Sequence, residues 1–249
     1  FTDDLGRTVT VSSYEKTAAL LGSYADIWIL SGGSVCATAA DAWEDLNLEL
    51  SKDTVNLGGT KSLSFEALLG ADPDFVIASS NTSQHMEWQK NLESAGITTA
   101  YFDVSDFDDY LRMLKICTDI TGNTEAYENY GTALSKRINE TLDRNREKEP
   151  QSVLVMRASA ASIRAKNSSG TASGVKAKGS EGSVGGELLK DLGCVNIADD
   201  DSTLLENLSI ESIALRNPDK IFFIQSGDDG EGMKKNVESM FRDNPLWNE

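Results

Sequence analysis

One amphipathic stretch, residues 123–149, limits what this chain can fold into. Its larger apolar residues recur every three or four positions, which is typical of a helix with one buried face. They are Tyr127, Tyr130, Leu134, Ile138 and Leu142. Asn123 can cap the start and Pro150 ends the pattern, so at 1.5 Å per residue the predicted helix is about 40 Å long. It is either an ordinary surface helix or a spacer between two lobes, and the flanking sequence favours the spacer.

The two flanks of this stretch repeat each other. Residues 64–77 and 209–222 both read serine, an apolar residue, glutamate, a short helical pattern, Pro-Asp and then an apolar strand. Each copy predicts a capped short helix that ends before Pro-Asp and leads into a buried parallel strand. We therefore predict an α/β fold with two lobes, residues 1–122 and 150–249, whose mainly parallel sheets are joined by one long helix over residues 123–149.

Apolar runs and helical patterns alternate along both lobes, as expected for parallel sheets covered by helices. In the first lobe, strands are predicted at residues 17–21, 35–38, 75–78 and 98–102. The second lobe shows fewer strands, at residues 152–156 and 221–224, with a further candidate at 163–166. Its Gly/Ser/Ala-rich stretch at residues 167–186 predicts a loop.

Charge and histidine content restrict the function classes. A net charge of −17 repels nucleic acid and anionic membrane surfaces, so neither is an expected partner. The three cysteines are odd in number and lack metal-ligand spacing, which predicts buried free thiols. His85 is the only histidine, so a multi-histidine metal site cannot form and any Ser-His-Asp triad would depend on this one residue. With so few catalytic candidates, we predict no enzyme, resident cofactor or metal site. The alternative is that His85 and Met86 are axial haem ligands, although adjacent residues on a helix point in different directions.

Polar residues follow several predicted strands of the first lobe. In open parallel sheets, ligands bind beyond the carboxyl ends of the strands. This rule makes Tyr24, Trp43, Thr60 and Lys61 candidate ligand contacts. Two lobes that present such edges to each other would form a cleft, which is a common ligand site.

The start of the second lobe has an unusual charge pattern. Between residues 150 and 180 there is no aspartate or glutamate, yet the stretch contains Arg157, Arg164, Lys166, Lys176 and Lys178. In so acidic a chain this pattern predicts an anion site, because guanidinium groups bind carboxylate or catecholate oxygens in a fixed geometry. We take Arg157, Arg164 and Lys166 as ligand contacts. The alternative is a solvated, flexible loop.

Glu66 and Glu211 hold matching positions in the first turns of the two repeated helices. A carboxylate at this position stabilises a helix dipole by about 0.3–1 kcal/mol. The matched placement also allows a second interpretation, in which each lobe offers one acidic docking point to a two-fold partner with basic sockets.

Several segments together resemble a known family. They are residues 4–11, 19–26, 65–66 with 72–77, and 189–198, which reads Leu-Lys-Asp-Leu-Gly-Cys-Val-Asn-Ile-Ala. Over essentially its whole length the chain resembles the substrate-binding proteins of iron-siderophore, haem and cobalamin ABC importers, and especially surface lipoproteins of Gram-positive anaerobes. The resemblance implies two α/β lobes joined by one long helix.

The resemblance also implies roles for individual residues. Glu66 and Glu211 match the two glutamates that meet arginines on the two subunits of the importer's permease dimer. The loop at Thr60 and Lys61 matches a position that often touches ligand, and further cleft residues of the family fall at Tyr24, Trp43 and Arg157.

The ends of the chain give two further expectations. The family continues past the segment resembling residues 244–247 with another strand and terminal helices. The expectation is therefore either a truncated chain, whose second lobe is incomplete, or a smaller second lobe. The chain begins at Phe1 rather than methionine, which predicts a removed N-terminal segment. Contact with a membrane is expected only through a lipid anchor on that segment, because no apolar run in the sequence is long enough to span a bilayer.

The sequence therefore predicts an extracytoplasmic solute-binding protein, either a surface lipoprotein or periplasmic, that captures a chelated iron complex and delivers it to an ABC importer. The basic residues favour an anionic ferric siderophore over cobalamin. The alternatives are a haem- or cobalamin-binding protein of the same importer class, a nitrogenase-like cofactor enzyme, and a ligand-free adhesion or scaffold module.

Overall fold

The computed structural model describes residues 1–160, 174–206, 208–226 and 229–242, without the side chain of Arg242. The chain divides into two compact units, Phe1–Arg137 and Ile138–Glu249. The border between the units falls inside the long helical segment. The lobe boundaries predicted at residues 122/123 and 149/150 stay a prediction.

Unit 1 is built on a five-stranded parallel sheet. Its strands are β1 (Thr17–Ala19), β2 (Val35–Thr38), β3 (Val55–Asn56), β4 (Phe75–Ser79) and β5 (Thr98–Phe102), in the order β3-β2-β1-β4-β5. The central strands β1 and β4 are buried along their whole length, as expected for a parallel sheet covered on both faces.

Helices cover both faces of this sheet. They are α1 (Gly22–Leu30), α2 (Asp41–Glu44), α3 (Phe65–Gly70), α4 (Ser83–Ser94) and α5 (Phe107–Thr121). Alternate residues of β4 enter different cores: Phe75 and Ile77 pack with α1 and α5, whereas Val76 packs with α3 and α4. The alternation follows from the two-residue period of a strand.

The long helical segment forms, but it is shorter and less regular than predicted. It consists of α6 (Thr124–Tyr127), a π-helical turn (Glu128–Thr132) and α7 (Ala133–Asn145), and the Asn123 side chain caps it by accepting from the Ala126 amide at 3.1 Å. The π turn shifts the phase of the apolar stripe, so that Gly131 is buried and Tyr130 is 43% exposed. The helix ends at Asn145 rather than at residue 149, because residues 146–149 are all charged and exposed, so no apolar side chain is available to pack a further turn.

Unit 2 has a four-stranded mixed sheet. Its strands are β6 (Ser152–Ala158), β7 (Val175–Lys178), β8 (Val195–Asn196) and β9 (Lys220–Gln225). Strand β6 is central: β9 pairs in parallel along one edge, while β8 and the antiparallel β7 share the other. The helices of the unit are α8 (Val184–Asp191), α9 (Ser202–Glu206), α10 (Ile210–Arg216) and α11 (Gly230–Arg242). With both units described, the predicted α/β class with mainly parallel sheets is confirmed.

The loop predicted for residues 167–186 is wrong in its second half. Residues 175–178 form β7, and α8 already begins at Val184. The missed signal is the alternation of buried Val175 and Ala177 with the more accessible Lys176 and Lys178, which is the pattern of a half-buried strand. The strand predicted at residues 163–166 lies outside the described residues.

The sequence repeat is also a structural repeat. Ser64 caps α3 by accepting from the Ala67 amide at 3.1 Å, and Ser209 caps α10 by accepting from the Ser212 amide at 3.3 Å. After each helix, the aspartate of the Pro-Asp pair accepts a hydrogen bond from a backbone amide at a neighbouring strand. Asp74 accepts from the Lys16 amide at 3.2 Å, directly before β1. Asp219 accepts from Ser152 of β6 at 2.8 Å. Each unit therefore uses the same motif to fix the start of a central strand.

The three cysteines are free thiols, as predicted, but only Cys117 is buried, whereas Cys36 and Cys194 are partly exposed. Among the described residues, no helix is both long and apolar enough to cross a membrane.

Candidate functional site

The strand order of unit 1 identifies the edge at which a ligand is expected. From β1 the chain builds β2 and β3 on one side, then crosses to build β4 and β5 on the other. The loops that leave β1 and β4 therefore diverge and open a crevice at the carboxyl edge of the sheet. The predicted contacts Tyr24, Trp43, Thr60 and Lys61 all follow strands β1 to β3 and belong to this edge.

The amino end of α1, which lies at this edge, is already occupied by a carboxylate. The Gly22 amide donates to both carboxylate oxygens of Asp41, each at 3.0 Å. Burial raises the pKa of Asp41. A Cβ at Gly22 would lie 2.5 Å from the Ala42 amide nitrogen, so only glycine permits this close approach. An anionic ligand therefore cannot use the first amide of α1.

Tyr24 and Trp43 differ in accessibility. Tyr24 is only 4% exposed, and its hydroxyl donates to the Phe102 carbonyl oxygen at 3.0 Å. Burial raises the pKa of Tyr24. Trp43 is half-buried on α2. Since the Tyr24 hydroxyl is engaged inside the unit, its contact with a ligand stays a prediction, and Trp43 is the more accessible aromatic residue.

Thr60 and Lys61 lie in a closed loop that follows β3. The Ser64 amide donates to the Leu57 carbonyl at 2.8 Å across the neck of the loop. Inside the loop, the Ser62 amide donates to the Gly59 carbonyl at 2.8 Å. Lys61 is exposed, and no carboxylate among the described residues forms an ion pair with it. The loop therefore presents an uncompensated cation at the carboxyl edge.

His85 lies in the core of unit 1 at the beginning of α4. Its Nδ1 accepts from the Ser79 amide at 3.1 Å, and its carbonyl oxygen accepts from the Tyr101 hydroxyl at 3.1 Å. Within the described residues its Nε2 has no hydrogen-bond partner. Burial lowers the pKa of His85 from its ordinary value of 6.5 to about 4. The imidazole is therefore neutral near neutral pH, with Nδ1 as the acceptor.

This environment argues against the haem-ligand alternative for His85 and Met86. His85 is fully buried, and Met86 packs against the same core. Ligation of a haem iron by His85 would require the first turn of α4 to leave the sheet. Among the described residues, no group of three or more His, Cys, Asp or Glu side chains is placed to hold a metal ion.

The lowered pKa of His85 predicts a specific pH dependence of stability. The unfolded chain binds a proton at His85 below pH 6.5, whereas the folded protein does not until about pH 4. The contribution of His85 to the free energy of unfolding is therefore fully present above pH 6.5. It falls by roughly 3 kcal/mol as the pH is lowered to 4. His85→Asn keeps an acceptor near the Nδ1 position but does not titrate.

Urea unfolding of both proteins between pH 7 and pH 4 measures this effect. The difference in unfolding free energy between the wild type and His85→Asn should shrink as the pH falls, because other groups titrate equally in both. Parallel stability profiles for the two proteins would contradict the burial of a neutral imidazole.

Unit 2 brings basic residues together on one face of its sheet. Arg157 of β6 and Lys176 of β7 are directly opposed in the antiparallel pair, and Lys178 lies two residues further along the same face of β7. Arg157 donates to the Ser226 hydroxyl at 2.7 Å. No carboxylate among the described residues forms an ion pair with these three cations. Arg164 and Lys166 lie outside the described residues, so their roles stay predictions.

The amino end of α8 lies over the same sheet face. Ile224 of β9 is the register partner of Arg157. The Ile224 side chain packs so closely on Gly185 of α8 that a Cβ at Gly185 would overlap with the isoleucine. Ser183 caps α8 by accepting from the Gly186 amide at 3.2 Å. The first turn of α8, the positive end of its dipole, therefore contacts the strand position next to Arg157, which further favours an anion there.

Glu66 and Glu211 are both exposed in first helical turns, in α3 and α10 respectively. The Ser209 hydroxyl donates to a Glu211 carboxylate oxygen at 2.7 Å, and this bond lowers the pKa of Glu211. Glu66 makes no hydrogen bond or ion pair with any described residue. Both carboxylates therefore project from the surface of their unit with capacity to accept further donors.

A sequence profile of the periplasmic binding protein family matches residues 18–249. This match covers most of the chain. The chain belongs to the periplasmic binding protein family. The family is described as periplasmic binding proteins, which act outside the cytoplasm.

Solved structures of periplasmic binding proteins share the fold. An ABC transporter substrate-binding protein from Listeria monocytogenes is 18% identical with a TM-score of 0.70, covering 95% of this chain and 84% of that one. SirA of Staphylococcus aureus complexed with staphyloferrin B is 18% identical with a TM-score of 0.67, covering 100% and 84%.

A periplasmic haem-binding protein from Pseudomonas aeruginosa is 18% identical with a TM-score of 0.67, covering 94% of this chain and 79% of that one. A comparison with curated protein sequences found no match. At this level of identity the solved structures establish the fold alone, and they include binders of both haem and a siderophore.

Proposed function

We propose that this periplasmic binding protein captures an anionic chelate of ferric iron, a ferric siderophore in preference to haem or cobalamin, and delivers it to an ABC importer. The observation that carries the proposal is the opposed pair of Arg157 and Lys176, which has no carboxylate partner among the described residues of a chain with a net charge of −17.

Two like charges directly opposite on a sheet destabilise the fold by about 0.2–1 kcal/mol. In a protein with 40 acidic and 23 basic residues, a nearby carboxylate would be a simple way to neutralise the pair. A bound anion removes the repulsion and gains charge-assisted hydrogen bonds from the guanidinium and the ammonium group. The clustered carboxylate or catecholate oxygens of a ferric siderophore fit such a pair. Cobalamin lacks comparable negative charge.

The carboxyl edge of unit 1 supplies the other proposed ligand contacts. Lys61 offers a second uncompensated cation, Thr60 a hydroxyl and Trp43 a half-buried ring, while Tyr24 contributes mainly the shape of the wall. We keep Arg164 and Lys166 as proposed contacts on the charge pattern alone. Glu66 and Glu211 are proposed to dock on basic sockets of the two permease subunits.

A thermal-shift panel tests the ligand class. The panel contains ferric enterobactin, ferric staphyloferrin B, the neutral hydroxamate complex ferrichrome, haemin and cyanocobalamin, each with its metal-free form where one exists. A ligand at a hundredfold its dissociation constant stabilises the fold by about 2.7 kcal/mol, which is about 5–10 °C for a chain of this length.

We expect a shift of that size with at least one of the two anionic ferric complexes, and little shift with ferrichrome or cyanocobalamin. A larger shift with haemin would assign the haem alternative within the same importer class. If cyanocobalamin or ferrichrome gave the largest shift, the anion site would be wrong.

A further inference from the structure

The side chain of Gln84, in the first turn of α4, forms a two-pronged bond with one residue of the loop that carries Lys61. Its Oε1 accepts from the Leu63 amide at 3.1 Å, and its Nε2 donates to the Leu63 carbonyl at 3.1 Å. The amide group thus satisfies both backbone groups of Leu63, as a neighbouring strand would. The Leu63 side chain is only 5% exposed in the core beneath. Leu63 is therefore held on both its backbone and its side chain.

Leu63 lies between two proposed functional elements. Lys61 stands two residues before it, and Ser64, the cap of α3, follows it directly. The Ser64 amide closes the neck of the loop on Leu57, and the Ser64 hydroxyl accepts from the Ala67 amide. Glu66, the proposed docking residue, is in that same first turn of α3. The loop and the helix therefore meet at the residue that Gln84 holds.

The first turn of α4 is itself fixed on the sheet. His85, next to Gln84, accepts the Ser79 amide at the end of β4, and the Tyr101 hydroxyl of β5 donates to the His85 carbonyl. Since two adjacent strands hold this turn, Gln84 can act as a rigid anchor. A mobile surface glutamine could not hold the loop in place.

We propose that Gln84 is a positioning residue that joins the Lys61 loop and the docking helix α3 into one rigid piece, so that occupation of the loop by ligand and presentation of Glu66 are coupled. The inference rests on the proposed function and concerns the regulation of that same site. Without the anchor, the loop and the start of α3 move independently of the sheet.

Amide hydrogen exchange of the ligand-free protein tests the anchor itself. Gln84→Ala should accelerate exchange of the Ser64 amide, whose own partner Leu57 is untouched, at least tenfold. The matched control is Gln89→Ala on the same helix, because within the described part of the chain the Gln89 side chain hydrogen-bonds only to Glu93, at 3.0 Å. It should leave exchange at Ser64 unchanged. Unchanged exchange in Gln84→Ala would overturn the inference.

A double-mutant cycle tests whether Gln84 affects ligand binding through the Lys61 loop. The probes are ferric enterobactin and ferric staphyloferrin B. Gln84→Ala should weaken binding about three- to tenfold in the wild-type background and have no further effect with Lys61→Ala, because it acts through that loop. A merely structural role would give the same loss in both backgrounds.

The two possible failures are distinguishable. Additive losses, with normal binding by the wild type, would overturn the coupling and leave the proposed function intact. If the wild type bound neither ferric complex, the proposed function would fail and the coupling with it, whatever the exchange rate at Ser64.

Discussion

Replacing both Glu66 and Glu211 by alanine should abolish delivery of the iron complex to the importer while leaving its affinity for the binding protein unchanged. Both carboxylates project from first helical turns, and neither forms an ion pair with a described residue. A charge-assisted hydrogen bond to an arginine of the permease contributes about 1.5–3 kcal/mol, so loss of two such bonds should lower uptake by about a hundredfold or more. Each single variant should show an intermediate loss.

Uptake of radiolabelled ferric complex into cells or vesicles that contain the permease measures this prediction. The matched control is Glu87→Ala with Glu206→Ala, which removes two exposed carboxylates, one from each unit, and changes the net charge equally. If the control pair lost as much uptake as the docking pair, general electrostatics would explain the effect. Unchanged uptake in the docking double variant would refute the docking roles.

A large loss of ligand affinity is also expected when either member of the basic pair of unit 2, Arg157 or Lys176, is replaced. Lys176→Ala and Arg157→Ala should each weaken binding of an anionic ferric complex by about ten- to a hundredfold, the expected effect of removing one charge-assisted bond. The same Lys176→Ala substitution relieves the repulsion with Arg157, so the ligand-free protein should be as stable as the wild type or up to about 1 kcal/mol more stable. Lower affinity with retained stability is the mark of a binding residue rather than a structural one.

Calorimetric titration and urea unfolding measure the two sides of this prediction. Lys90→Ala is the control, because it removes one exposed positive charge from α4 of unit 1 and should change neither quantity. Ferrichrome serves as a neutral probe. Equal loss of affinity for ferrichrome and for the anionic complexes would show that the variants disturb the shape of the site rather than its charge.

Much of the fold could be predicted because its signals are local. The buried parallel strands are continuous apolar runs, and the caps at Ser64 and Ser209 are set by nearby residues. The π turn could not be predicted, since the phase shift that exposes Tyr130 and buries Gly131 depends on packing against other helices. Strand β7 was missed because its alternating lysines lie in a Gly/Ser-rich context.

The site was harder to predict than the fold, because it depends on contacts between residues that are not neighbours in the sequence. Lys61 and Arg157 could be chosen from strand ends and charge. Arg157 faces Lys176 because of the register between β6 and β7, which the sequence does not show. The Tyr24 hydroxyl is hydrogen-bonded because the last residue of β5 presents its carbonyl oxygen to it. Gln84 carries no sequence signal at all, because its role depends on the approach of Leu63 from a loop about twenty residues away.

Calorimetric titration of the purified protein with ferric staphyloferrin B and ferric enterobactin, each beside its iron-free form, shows whether an anionic ferric chelate is the ligand. We expect at least one ferric complex to bind at one site with a dissociation constant of about 1 μM or tighter, equivalent to about −8 kcal/mol. The iron-free chelator, which is not held in the bound conformation, should bind at least about tenfold more weakly. Binding of neither ferric complex, together with tight binding of ferrichrome or cyanocobalamin, would contradict the proposed function.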